Sequence, residues 1–149
     1  MPRNLSFMGI QQKIFLTADC LIVSEHEIGN KVLLIKRKNE PFKDCWALPG
    51  GFVEDNEDLD QAASRELREE TGVSLRPSEI RELATFGKPG RDPRGRIVTV
   101  VFGAIVDPKY HPIRAGDDST DAAWWDLEAL PTMAFDHEMI VEKCFKRLI

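Results

Sequence analysis

The sequence predicts an α+β or α/β chain built on a mixed sheet. Strand-like runs outnumber helical ones, the two kinds are interspersed, and no internal repeat, linker or low-complexity segment divides the chain. With 149 residues, the chain is long enough for one domain with a real core, and it is read as a single domain over residues 1–149.

Residues 14–24 and 31–36 are apolar runs of strand type, with Gly29-Asn30 between them as a hairpin turn signal. Residues 39–56 form a loop rich in Pro, Gly and acids. A helix follows over 58–71, because Asp58 with Gln61 three residues on makes a capping box and Gly72 suits the left-handed position past the last turn. Residues 80–87 read as a strand and Pro89 to Gly95 as a turn-rich loop. The run from Arg96 to Val106 is the best buried-strand candidate. Ala122–Asp126 predicts a short strand. A last helix near 136–148 sets Ile140, Val141, Cys144, Phe145 and Leu148 at helical spacing.

The helix over 58–71 carries the chemistry. At about 100° per residue, Glu66, Glu69 and Glu70 stand at i, i+3 and i+4 and share a face. Three carboxylates so close repel one another, and a divalent cation removes that repulsion. Oxygen ligands suit Mg²⁺ or Mn²⁺ rather than zinc. A solvated acidic face is the ordinary alternative for such a charge run. It loses here because a glycine, Gly51, a lone Glu57, the pair Arg65-Glu66, the pair Glu69-Glu70 and a closing Gly72 recur at fixed intervals. With residue usage of roughly 5–7% each, a chance match is on the order of one in 10⁸.

This stretch, from Gly51 through Val73, resembles the Nudix box, with every fixed position present, including the apolar Leu67 and Val73. The resemblance implies an α/β/α sandwich with a central mixed sheet between helices. It also implies that Glu66, Glu69 and Glu70 bind metal while Arg65 and Glu57 orient them. The carbonyl of Gly50 is a further implied ligand, and one or more box glutamates help deprotonate the attacking water. Pro89, sixteen residues past Val73, and the run Arg91-Asp92-Pro93-Arg94-Gly95 are similar to the bacterial ADP-ribose pyrophosphatase branch. That branch includes transcriptional regulators whose Nudix domain senses ADP-ribose, and its enzymes are often homodimers.

Outside the box, Lys88, Arg91, Arg94 and Arg96 in the Pro89 loop are candidate charge-assisted donors to phosphate, against a merely solvated surface hairpin. Arg37, beside the box loop, is a further candidate donor to phosphate, against a strand-end arginine in water. Many Nudix enzymes place a further carboxylate before the Trp124-Trp125 strand. Asp118, with Asp117 as the alternative, fits that place as metal ligand or general base, and an Asx turn is the competing reading. Phe135 suits stacking on adenine or a staple into the core, and His137 reads as a cap or surface residue rather than a base.

The net charge of −5 argues against a generic nucleic-acid or anionic-membrane partner and permits a phosphorylated small molecule beside metal ions. Cys20, Cys45 and Cys144 are odd in number and form no CxxC pair. No secretory signal, lipidation motif or apolar span of membrane length is present, so a reducing cytoplasm is expected. The expected reaction is Mg²⁺-assisted hydrolysis of ADP-ribose to AMP and ribose 5-phosphate. Two rivals are a nucleoside-triphosphate pyrophosphohydrolase that cleans the nucleotide pool and a non-catalytic ADP-ribose sensor.

Overall fold

The computed structural model describes Gly9 and residues 12–26, 29–116 and 119–149. Its strands are β1 (Phe15–His26), β2 (Gly29–Arg37), β3 (Trp46–Ala47), β4 (Gly50–Phe52), β5 (Arg81–Phe86), β6 (Ile97–Val106) and β7 (Ser119–Asp126). Two α-helices join them, α1 (Leu59–Thr71) and α2 (His137–Leu148), with 3-10 turns at Pro77–Glu79 and Pro108–Tyr110. The strands form one mixed sheet in the order β3-β2-β1-β6-β5, with β4 also pairing β1 and β7 pairing β2. β1 and β6 run parallel, Phe15 opposite Ile97 through Ser24 opposite Val106, and the other pairings are antiparallel.

Alternation along β1 sorts its side chains to two faces. Ala18, Cys20 and Ile22 pack with Ala62, Ala63 and Leu67 of α1, while Leu21 and Val23 pack with Ile140, Val141, Cys144 and Leu148 of α2. The result is a helix-sheet-helix sandwich, the α+β class expected from the sequence. Leu67 is wholly buried at the centre of the α1 layer. Leu67→Ala should cost about 2–5 kcal/mol of stability, read as a fall in the urea midpoint.

Helix α1 begins and ends as its sequence dictates. Asp58 accepts from Leu59 N at 2.9 Å, Gln61 returns a bond to Asp58 N at 2.8 Å, and Gly72 closes the helix at φ 79° with its N–H on Arg68 O. Two local expectations differ. Gly29 and Asn30 are the first residues of β2, paired with His26 and Glu25, rather than the turn. The loop over 39–56 also contains β3 and β4, which are too short to show a period.

Candidate active site

A pocket of about 410 Å³ opens at one end of the sheet between the N-terminal part of β1, the Leu48–Glu54 segment, α1 and the Arg91–Arg94 loop. Its acidic wall comes from α1. Glu70 is buried, and its Oε1 accepts from Gly50 N at 3.1 Å. The Glu66 and Glu70 carboxyls lie in hydrogen-bond contact with each other. Burial and the neighbouring Glu66 push Glu70 up to about 9, and burial raises Glu66 as well. Glu69 is exposed and turns to Arg65 Nη1 at 3.2 Å.

Arg65 ties this face to the loop ahead of α1. It donates to both oxygens of Glu57 (2.9 and 2.6 Å), to Glu66 Oε1 (2.8 Å) and to Phe52 O (3.2 Å). The hydrogen bonds from Arg65 hold Glu57 below the usual carboxylate range. Glu57 also accepts from Glu54 N, which closes the loop on itself. Glycine is required where that loop meets the carboxyls. A Cβ on Gly51 would lie 2.6 Å from the Glu66 carboxyl, and one on Gly50 would strike Asp19 Oδ1 and come within 2.5 Å of Ala18 O.

Among the described residues, no three acidic, histidine or cysteine side chains converge as a ready-made ion site. The donor set still fits a hard divalent cation. Two carboxyls crowd together at one wall, every donor there is an oxygen, and the pocket admits a ligand. Asp118 and Asp117 lie outside the described residues. The segment leading to them is anchored on α1, with Arg114 N donating to Thr71 O and Gly116 N to Glu70 O.

The opposite wall is basic and aromatic, and the candidate arginines divide there. Arg91 is deeply buried: Nε and Nη2 grip Asp136 at 2.9 and 2.7 Å, and Nη1 bonds Ile97 O. It pins the Pro89 loop to the start of α2 rather than offering a free fork to phosphate. Asp136→Ala would strand that guanidinium and should cost about 3 kcal/mol by chemical denaturation. Arg94 pairs with the buried Asp92 but is partly exposed, and Arg37 bonds Pro41 O through Nε. Burial, then repulsion from Arg94, lowers the Arg37 guanidinium. Lys88 and Arg96 are exposed.

Phe135 is half-buried on the pocket wall, at φ 52°, with the Arg37 and Arg94 guanidinium carbons 4.9 and 5.3 Å from its ring centre. It packs against the small cluster of Ile35, Ala47 and Ala134, as a staple would, and also carries two arginines. His137 corrects the sequence expectation. It is buried at 5% exposure, its Nδ1 accepts from Leu48 N at 3.0 Å, and it lines the pocket. A helix-start histidine looks like a surface cap in the sequence because the loop that covers it lies 89 residues away. Burial lowers its basicity.

Asp19 and Thr99 escaped the sequence reading. Both are buried on the α2 face of the sheet, Thr99 Oγ1 donates to Asp19 Oδ2 at 2.5 Å, and burial raises the Asp19 carboxyl. A carboxylate inside the apolar run Leu16–Val23 was the available signal, since such residues are almost never fully buried without a partner.

A family model of the NUDIX domain matches residues 14–147. An ADP-ribose pyrophosphatase of Methanocaldococcus jannaschii is 50% identical over 116 residues, 78% of this chain and 66% of that enzyme. The NUDIX domain of Shewanella oneidensis NrtR, solved in complex with ADP ribose, superposes with a TM-score of 0.84 at 32% identity, covering 99% of this chain and 100% of that one. A bifunctional NMN adenylyltransferase/ADP ribose pyrophosphatase of Francisella tularensis, complexed with AMP and a manganese ion, gives 0.80 at 32% identity, covering 95% of this chain and 44% of that one. The chain spans 66% and 54% of the length of the first two curated relatives it matches, and less of the others.

Proposed function

The chain belongs to the Nudix family, and from that premise we propose that it hydrolyses ADP-ribose to AMP and ribose 5-phosphate. One observation carries the reading: a single pocket sets the Glu66–Glu70 carboxyls opposite the Arg37 and Arg94 guanidiniums. A diphosphate needs cations on both sides, and that arrangement suits it once a divalent ion sits on the acidic wall.

Glu66, Glu69, Glu70 and the Gly50 carbonyl are the proposed holders of Mg²⁺ or Mn²⁺. When bound, such an ion neutralises the diphosphate and makes water a better nucleophile. The chain's own residues do the rest. Arg65, fixed by Glu57, holds Glu66 and Glu69 in place. Arg37 and Arg94, steadied on Phe135, donate to phosphate oxygens as negative charge shifts toward the leaving group. Water attacks one phosphorus, the bridging P–O bond breaks, and the water's proton passes to a carboxylate of the acidic wall. Arg91 acts by holding the loop, and Asp118 remains the candidate further carboxylate. The free thiols of Cys20, Cys45 and Cys144 suit the proposed cytoplasmic setting. Among the described residues, no helix is long and apolar enough to cross a membrane.

A second reading, an ADP-ribose sensor, has one observation in its favour: the likeness to the NrtR domain complexed with ADP ribose. Steady-state kinetics with Mg²⁺ on ADP-ribose and on a panel of nucleoside triphosphates separates the readings. Hydrolysis of ADP-ribose with kcat/KM above ~10⁴ M⁻¹s⁻¹ and little action on triphosphates is expected. Preference for a triphosphate would make the chain a nucleotide-pool enzyme.

A further inference from the structure

His137 and Asp19 form a polar pair that the hydrolysis chemistry above leaves unused. Their side chains are 7% and 9% exposed, and both line the pocket. Leu48 N–H occupies the Nδ1 lone pair, so the neutral ring carries its proton on Nε2. Among the described residues that Nε2–H makes no hydrogen bond. Asp19 Oδ2 is 3.9 Å away, too far for a direct one. Thr99 Oγ1 donates to that same Oδ2, which has a further lone pair to offer. A ring N–H without a protein partner and a carboxyl oxygen thus stand side by side on the pocket wall, within reach of a ligand in it.

We propose that the His137–Asp19 pair selects the substrate by binding one sugar hydroxyl. The separation suits a group that accepts and donates at once: with ordinary bonds of about 2.8 Å on each side, a single oxygen fits between them. That oxygen would accept from Nε2–H and give its own proton to Asp19 Oδ2. A phosphate oxygen lacks the proton, and a carbonyl lacks it as well. The inference rests on the hydrolase reading, which puts a sugar on each side of the diphosphate, and either ribose offers such a hydroxyl. Because Leu48 precedes Pro49 and Gly50, the same histidine also keeps the loop in register with the acidic wall.

The test compares ADP-ribose with analogues lacking one hydroxyl, on the adenosine ribose or on the terminal ribose, by kcat/KM and by calorimetric Kd. One deoxy analogue should be poorer by roughly ten- to hundredfold, and its position tells which ribose is read. In His137→Asn the amide oxygen still accepts from Leu48 N–H but nothing reaches the Nε2 position, so that ratio should fall to near one. Asp19→Asn, which keeps an acceptor for Thr99, should lower the same ratio and serves if the first variant melts early. Turnover of ADP-ribose with no hydroxyl preference, or an unchanged ratio in both variants, overturns the inference and leaves a bridging water as the occupant. If ADP-ribose is neither bound nor cleaved by the unaltered chain, the hydrolase reading falls, and this inference falls with it.

Discussion

Replacing Glu70 by glutamine should lower turnover of ADP-ribose at least about a hundredfold while leaving a folded protein. Glutamine has nearly the same shape, and its amide oxygen still accepts from Gly50 N–H, so the contact between the box loop and α1 survives. What disappears is the oxygen that can become anionic beside Glu66 when a cation binds. Burial and that neighbour already disfavour charge at Glu70 in the absence of a cation. The neutral variant should therefore melt no earlier than the unaltered protein in metal-free buffer. Added Mg²⁺ should raise the melting temperature of the unaltered chain and do so much less in Glu70→Gln. Early melting of the variant with proportionate loss of activity would assign Glu70 a packing role instead.

Gly50→Ala should be damaging in both respects. The added Cβ would press on the Ala18 carbonyl, a backbone atom that cannot swing aside, and on Asp19. Strand β4 must then move off β1, and the Gly50 N–H leaves Glu70. Overpacking of this kind costs about 3 kcal/mol, and a shift of about 1 Å at a reacting site can cost about a hundredfold in rate. Both losses are expected, by urea denaturation and by kcat/KM. Gly90→Ala is the control. Unlike Gly50 in β4, Gly90 is a loop glycine at positive φ and its Cβ position is open, so any loss there reports backbone strain alone.

The long elements were legible in the sequence because each has its own local period. The capped helix carrying Glu66, Glu69 and Glu70 begins and ends within a residue of its expected bounds, and the Arg96–Val106 strand does the same. Positions that depend on distant partners were not legible. Arg91 meets Asp136, 45 residues on, and His137 meets Leu48, 89 residues back; no spacing rule encodes either contact. Asp19 was visible as an anomaly, a carboxylate in an apolar strand, but its role appears only when the parallel pairing of β1 with β6 brings Thr99 beside it. Phe135 illustrates the same limit. Its type suggested stacking or a core staple, but not the two guanidiniums from other segments that lie over its ring.

The most direct test of the account is a chromatographic time course of ADP-ribose with the purified chain, with and without Mg²⁺. AMP and ribose 5-phosphate should appear in equal amounts, only when the cation is present, and not with Glu70→Gln. ADP-ribose that is bound yet recovered intact with Mg²⁺ present would contradict the hydrolase account and make the pocket that of a sensor.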